Sequence, residues 1–543
     1  LLLAALALRA ADFPGRYVYR DGDERPYTQS GLALWEGMTP TNKYCPAGPQ
    51  IWISWLYAGF YSTRDFLLPS REDAAVPFVL RPFVAVNHAL FDIYHDWSRL
   101  RQIQSAVNFA ATLAAVAAGF ELGRKRGGLP AALIVAGMAA AMPIWVELSV
   151  EARPYTLAWD CGLIAFYFSA KGSDGTSAIF MGLAVASRID MLVLVPLAWT
   201  DLWPSDRFMR RAARYTALAA LTTLLVAPWL LTNLIGNVRE IATIRVAIPD
   251  AKSDSTTSAL NEIFIQQGLG VVIILAMTSL FLAPPGRTKP RWMAAIYVLL
   301  LTLSMLKATN FGIRHQGGPF VALIAFSAVG ASALWKRWPA LAWVAAAAAI
   351  APTFVVAALD VAATRQAYVA PHPTEWLERH IMPGTRVYLS PRIHDPLPTQ
   401  AASDALWAEV ADGDAWKAKI ETAMKRYHIS ADELPRALSE ENMIQERGNR
   451  REWFILGGLP KLQEPRFDIR VIMSSPVFGV QDASAEFRRT GGVLIWDDFD
   501  GRSPDGLGQP VVQWVNGDGK GVRVYCSSEV AARFLDAGDL GAW

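Results

Sequence analysis

Charge is scarce in this chain. Only 18% of its 543 residues are Asp, Glu, Lys or Arg, and they leave a formal net charge of +2. No Lys/Arg-rich block or basic-aromatic stripe is present, so nothing supplies the electrostatic footprint of a nucleic-acid binder, and that class is set aside. Cysteine is scarcer still: Cys45, Cys161 and Cys526 are too few for a disulfide framework, and no CxxC or His/Cys pairing has the spacing of a structural zinc site. The acidic run DDFDGRSPDG (497–506) lacks the D-x-D-x-D-G spacing and distal Glu of a calcium loop and reads as a solvated turn. His88, His95, His372, His380, His394 and His428 show no ligand spacing either. The polar C-terminal part contains no GxGxxG, Walker or GxSxG element, which argues against a nucleotide or serine-hydrolase site there.

What is abundant is apolar sequence: 52% of residues are hydrophobic and 20 are Trp, above the usual share for soluble domains. Runs of spanning or near-spanning length occur at 104–122, 129–149, 154–170, 176–187, 190–203, 214–232, 268–284, 292–307, 319–335 and 340–360. The opening LLLAALALRAADF is too short to span alone and reads as the end of a first transmembrane helix, with a cleaved signal peptide as the alternative. Together these predict a polytopic α-helical protein of about eleven spans. SRID (187–190) separates two short runs and is a candidate break near the membrane surface.

Alternate short loops carry GRKRGG (123–128), DRFMRRAAR (206–214), GRTKPR (286–291) and KR (336–337), which places them on the cytoplasmic side. Facing outward are then residues 12–103, 147–153, SRID, 233–267 and 310–318, together with the C-terminal tail. Within the long first outer loop, PQIWISWLYAGFY is too short and too rich in Trp and Tyr to span, and it predicts a helix lying at the interface. The tail alternates strand-like runs (RVYLS, 386–390; REWFILGG, 451–458; FDIRVIMSS, 467–475; GGVLIWD, 491–497) with helical stretches such as WKAKIETAMKRYHIS. The predicted organisation is a transmembrane domain over 1–365, including the outer loop 12–103, and an extracytoplasmic α/β domain over 366–543.

Against this apolar background the knot Arg20, Asp21, Asp23, Glu24, Arg25 stands out. In the pattern DExxYxxxGxALWxG, Tyr27, Gly31 and Leu34 recur at helical spacing, so a structural reading has the acids capping an amphipathic helix, whose N-terminus stabilises their ionised form. A functional reading has an ionised carboxylate at the membrane surface taking the proton of an attacking hydroxyl while a phosphate departs without a strong acid.

The stretch DE, Tyr, ALWEGMTP, then a Pro-containing segment leading to an interfacial helix, resembles the first outer loop of GT-C glycosyltransferases. It is most similar to the branch that uses polyprenyl-phosphate sugars, which includes protein O-mannosyltransferases and the aminoarabinose transferases of lipid A. VEARPYTLAW (150–159) is similar to that family's "ARxYxL" segment at the start of its fourth helix, and GLAVASRIDMLVLVPLAW (182–199) to its "GLAxLTKYxALLLLP". FGIRHQGGPFVALIAF (311–326) resembles "RYxLPxxPxLxLL"; together the likeness covers residues 12–340.

The resemblance implies an inverting glycosyltransferase that moves a sugar from a polyprenyl-phosphate carrier to a hydroxyl of a glycan, lipid or protein, at the outer face of a bacterial inner membrane. Asp23 then matches the essential first-loop aspartate, with Glu24 beside it and Asp21 as the fallback; Glu151 is the second acidic residue. Arg153, Arg314 and His315 fall at outer helix ends where a lipid phosphate would sit, and Arg can take phosphate oxygens through two parallel hydrogen bonds. Structural readings stand beside these: a surface salt bridge for Glu151 with Arg153, headgroup anchoring for Arg314 and His315, and mutual pairing for Arg188 with Asp190. Where the family has HPP or KPP this chain has NKYCPAGPQ, so Lys43 or Tyr44 stands in for the usual donor contact.

WWDYG, the oligosaccharyltransferase signature, is absent, which disfavours a lipid-pyrophosphate oligosaccharide donor. No obligatory metal is expected, with Asp21, Asp23 and Glu151 the only oxygen ligands at hand. Cys45 and Cys526 fall on one predicted side and are read as two unrelated thiols, with a disulfide between them as the alternative. The rival readings are a lipid-linked glycan transporter or flippase, which predicts ionisable or helix-breaking residues inside spans, where Asp160 is a mild instance, and a catalytically inactive GT-C scaffold.

Overall fold

A computed structural model describes residues 1–12, 31–35, 47–69, 76–95, 98–202, 207–231, 267–281, 317–367, 380–382, 384–389, 468–471, 474–475, 479–480, 483–497, 507–515 and 521–530. The chain divides into two units, Leu1–Phe60 with Trp97–Ala362, and Tyr61–Asp96 with Ala363–Trp543. In chain order the described helices are α1 (Leu2–Asp12), α2 (Gly48–Leu67), α3 (Arg81–His95), α4 (Ser98–Ala141), α5 (Pro143–Ser149), α6 (Pro154–Lys171), α7 (Asp174–Ser187), α8 (Val195–Leu202), α9 (Phe208–Val226), α10 (Leu269–Phe281), α11 (Gly317–Arg337), α12 (Pro339–Ala367) and α13 (Ala483–Thr490). Short 3-10 turns lie at Leu32–Leu34 and Ile189–Leu194.

Among the described residues, three helices are long and apolar enough to cross a membrane: Arg99–Ala141, Gly317–Arg337 and Pro339–Ala362. The first is not one rod. A straight helix of that length would reach about 65 Å, roughly twice the hydrocarbon thickness. Gly128 interrupts it with φ 75° and ψ −163°, a conformation open to glycine, and Pro130 follows. The two arms fold back on each other: a Cβ at Gly123 would strike the backbone of Ala131 and Ala132, and one at Gly119 would lie 3.1 Å from Val135. These facing pairs step in opposite directions along the two arms, which makes an antiparallel hairpin with GRKRGG at its bend. The predicted runs 104–122 and 129–149 are its two arms.

The second arm is shorter than predicted. It ends at Ala141 and α5 restarts at Pro143, because Pro143 has no N–H to give the carbonyl of Ala139 four residues back. Arg9, fully buried on α1, donates to Ala139 O at 3.0 Å and to Ala140 O at 2.6 Å. Ile144 N, which would otherwise serve Ala140, donates to Gln267 Oε1 at 3.0 Å. The break is thus patched from two other segments.

Around this hairpin α11 packs on α4 and α10, α6 on α4 and α7, and α9 on α7. Trp159 sits at the centre, edge-on to Trp145 (5.5 Å) and to Phe320 (6.0 Å). α2 contains the predicted interfacial segment and is longer than expected; Trp52 on its first half donates to Val226 O at 2.7 Å. Residues 31–35 are a 3-10 turn and not the continuation of an amphipathic α-helix. Gly31 lies against the backbone of Ile51 and the side chain of Ser54, while Trp35 stacks on Trp55 (5.2 Å) and donates to Trp55 O at 3.0 Å. Contacts to α2 therefore override the local 3.6-residue spacing.

The second unit holds a five-stranded sheet of order β2-β1-β5-β7-β6, with β1 (Arg386–Leu389), β2 (Asp468–Val471), β5 (Val493–Asp497), β6 (Val512–Val515) and β7 (Gly521–Cys526). A separate two-residue pair joins β3 (Ser474–Ser475) to β4 (Gly479–Val480). β1 runs parallel to both neighbours, with Val387 opposite Ile469 and Val493, whereas β5, β7 and β6 are antiparallel. Tyr388, Phe487, Leu494 and Tyr525 form its core. The predicted runs 386–390, 467–475 and 491–497 contain β1, β2 with β3, and β5; 451–458, the helix of WKAKIETAMKRYHIS and the span 292–307 lie outside the described residues.

Candidate functional site

Between α5 and α6 the chain turns through residues 150–153. Val150 closes α5, with φ −103° and ψ 0°. Arg153 is extended (φ −115°, ψ 152°) because it precedes Pro154, which itself opens α6 at the position where a helix tolerates proline. Both chemical residues of this turn are inside the protein: Glu151 is 2% exposed and Arg153 1%. Arg153 Nε lies 3.2 Å from Glu151 Oε2. The surface salt bridge considered from sequence is therefore a buried one, for which desolvation is a large cost and geometry decides the balance.

Neighbouring elements add to this pair. The ring of Tyr155, on the first turn of α6, carries the Arg188 guanidinium 4.1 Å above its centre and that of Arg153 at 5.9 Å. Arg188 pairs with Asp190 through Nε to Oδ1 (2.9 Å) and Nη2 to Oδ2 (3.3 Å), the mutual pairing expected from sequence. The start of α11 packs against two of these elements: Gly317 lies on the indole of Trp159, where any side chain would collide, and a Cβ at Gly318 would sit 3.2 Å from Asp190 O. Glu151, Arg153, Tyr155, Arg188 and Asp190 thus form one connected group, and Asp190 lies against the first turn of α11. Arg314 and His315 immediately precede that helix in sequence.

Arg314, His315, Lys43, Tyr44, Asp21, Asp23 and Glu24 lie outside the described residues, as does Cys45. Cys526 carries a free thiol, and so does the buried Cys161. Among the described residues no three His, Cys, Asp or Glu side chains gather as a metal-binding group. Asp160, fully buried in α6, accepts from Thr112 Oγ1 (2.7 Å) and Trp145 Nε1 (3.0 Å), so its carboxylate ties α4, α5 and α6 together.

Sequence reasoning missed the residues that hold the turn. Asn108 Nδ2 donates to Glu151 O (2.7 Å) and to Arg153 O (2.8 Å). Gln50 Nε2 reaches Asn108 Oδ1 at 3.4 Å, and Gln104 Nε2 donates to Gln50 O (3.1 Å) and Ser54 Oγ (2.8 Å). The signal was available: Arg101, Gln104, Ser105, Asn108 and Thr112 recur at helical spacing and carry a polar stripe into the apolar run 104–122.

Fold and site together define a helical membrane protein with a buried carboxylate–guanidinium turn. No family model and no curated protein matches the chain. Solved structures to which it is similar include ArnT from Cupriavidus metallidurans bound to undecaprenyl phosphate, at 12% identity and TM-score 0.42 over 97% of each chain. The apo state of the same protein matches at 14% identity and TM-score 0.40, over 73% of this chain and 82% of that one. The oligosaccharyltransferase of Archaeoglobus fulgidus, in complex with Zn and sulfate, matches at 14% identity and TM-score 0.41 over 78% of this chain; the match spans only 56% of that protein's length. Similarity at this level assigns no activity.

Proposed function

We propose that the chain is an integral-membrane glycosyltransferase that takes a sugar from a polyprenyl-phosphate carrier and passes it to a hydroxyl of a glycan, lipid or protein at the outer face of the membrane. The observation that carries this reading is the buried Glu151–Arg153 pair, set within the motif VEARPYTLAW. Arg9 is buried to serve the carbonyls freed at the Pro143 break, whereas the backbone carbonyls of the Glu151–Arg153 turn are already held by Asn108; costly buried ionisable groups of this kind are a mark of functional sites in membrane proteins. The sequence resemblance over residues 12–340 supplies the reaction class.

In this reading Asp23, with Glu24 or Asp21 as neighbours, orients the acceptor hydroxyl and takes its proton as the hydroxyl oxygen bonds to the anomeric carbon. The bond from that carbon to the phosphate oxygen breaks, and a single displacement inverts the centre. Arg153, Arg314, His315 and Lys43 bind the departing polyprenyl phosphate, and Glu151 stands as the second acidic group. The reading invokes no obligatory metal.

The test is to incubate the purified full chain with a panel of polyprenyl-phosphate sugars and follow donor consumption by mass spectrometry. One donor should be consumed, and Asp23→Asn and Glu151→Gln should each lower the rate by about 100-fold or more in protein that still elutes as a folded species. If no donor is consumed, or if both variants turn over like the parent, the reading fails.

A further inference from the structure

The shape of the Glu151–Arg153 turn is set from outside it. A single carboxamide nitrogen, Asn108 Nδ2, gives its two hydrogens to the carbonyls at the turn's two ends, Glu151 O at 2.7 Å and Arg153 O at 2.8 Å. Holding two peptide planes with one rigid NH2 group fixes the segment between them, and with it the directions in which the Glu151 and Arg153 side chains leave the backbone. The same carboxamide accepts from Gln50 Nε2 at 3.4 Å, and that nitrogen also lies 3.5 Å from Arg153 O. Gln50 sits on α2, in the outer loop, and Gln104 Nε2 holds its carbonyl at 3.1 Å. Asn108, Gln50, Gln104 and Ser54 are 0–1% exposed, so water does not compete for these bonds.

The chemistry at position 108 is narrow. Two donors and one acceptor within four heavy atoms are available from a carboxamide; aspartate keeps the outline and the acceptor but replaces the NH2 group, with both its hydrogens, by one oxygen that faces the two carbonyl oxygens, and leucine keeps only the bulk. We propose that Asn108 is a positioning residue: it fixes the Glu151–Arg153 turn in its working geometry and, through Gln50, ties that turn to α2. This rests on the glycosyltransferase reading for its catalytic meaning, whereas the positioning itself does not. A polar residue that served only to join α4 to α6 would have no reason to grip both ends of the turn.

The experiment uses the full chain in lipid nanodiscs, with Asn108→Asp and Gln50→Leu, and two readouts. Amide hydrogen exchange should rise about tenfold in the peptide covering 149–155 of Asn108→Asp while the rest of α4 and α6 keeps its protection, with Gln50→Leu changing the same peptide less. Donor turnover by Asn108→Asp should fall about 100-fold in kcat with KM within about threefold, the pattern of misplaced groups and not of lost binding. The proposal is overturned if exchange at 149–155 is unchanged, if protection falls equally throughout both helices, or if kcat is unaltered while the parent is active. Should the parent consume no donor, the glycosyltransferase reading fails and the exchange result alone decides the role of Asn108. If Asn108→Asp does not fold, Asn108→Ser, which keeps one donor for one carbonyl, takes its place with the same readouts and the same outcomes.

Discussion

Arg9 is a full positive charge with no exposed surface, on a helix made otherwise of Leu and Ala up to its last residue, Asp12. Its partners explain it, because Pro143 orphans the carbonyl of Ala139 and the Gln267 cap on Ile144 frees that of Ala140. Arg9→Leu leaves two carbonyls without these donors in an apolar interior and should destabilise the folded protein by about 2–4 kcal/mol, with Arg9→Lys costing less, as measured by thermal unfolding in detergent. At the same scale, burial pushes the Cys526 thiol up to about 12. It therefore stays protonated at neutral pH, and Cys526 should react with iodoacetamide more slowly in the folded chain than in denaturant, compared against Cys526→Ser. Because the thiol of the unfolded chain ionises near 8.5, the native preference for the neutral form is fully present below that pH. The associated stability is lost as pH climbs from there toward about 12, which denaturant titrations across that window would register.

The helical hairpin of α4 depends on glycine at two kinds of position. Gly128 supplies a backbone conformation that turns the chain, Gly123 lets the arms approach until backbone meets backbone, and Gly119 makes room for the Val135 side chain. Gly123→Val should force the arms apart and destabilise the protein by about 1–3 kcal/mol, again by thermal unfolding, whereas the same change at exposed Gly172, which caps α6 with φ 82°, acts through backbone strain alone. The bend and both arms were legible in GRKRGG between two apolar runs, and so was the break at SRID. The interruption at Pro143 was not, because hydropathy counts proline as one apolar-neutral residue in a window and says nothing about the hydrogen bond it withholds. The turn at Leu32–Leu34 was misjudged as helix for a related reason: spacing reports only what a segment prefers alone, and here Ile51, Ser54 and Trp55 of α2 supply the better partners.

For the whole molecule, the basic loops predict an orientation. In sealed membrane vesicles of known sidedness that contain the protein, on a background lacking native cysteines, Lys125→Cys should label from the cytoplasmic face and Thr63→Cys from the opposite face with a membrane-impermeant maleimide; labelling of both from one side would refute the arrangement. Sequence by itself determined where the apolar runs lie, the bend at GRKRGG and the break at SRID, and which acids and arginines were worth watching, because each of these depends on residues close together in the chain. Only the tertiary structure decided that Glu151 and Arg153 form a buried pair, that Arg188 rests on Tyr155 and that Asn108 and Gln50 reach the turn. The reason is physical: helices apolar nearly all the way round carry little record of which face meets which neighbour, so contacts between residues 50, 108 and 151 exist only once the helices have packed.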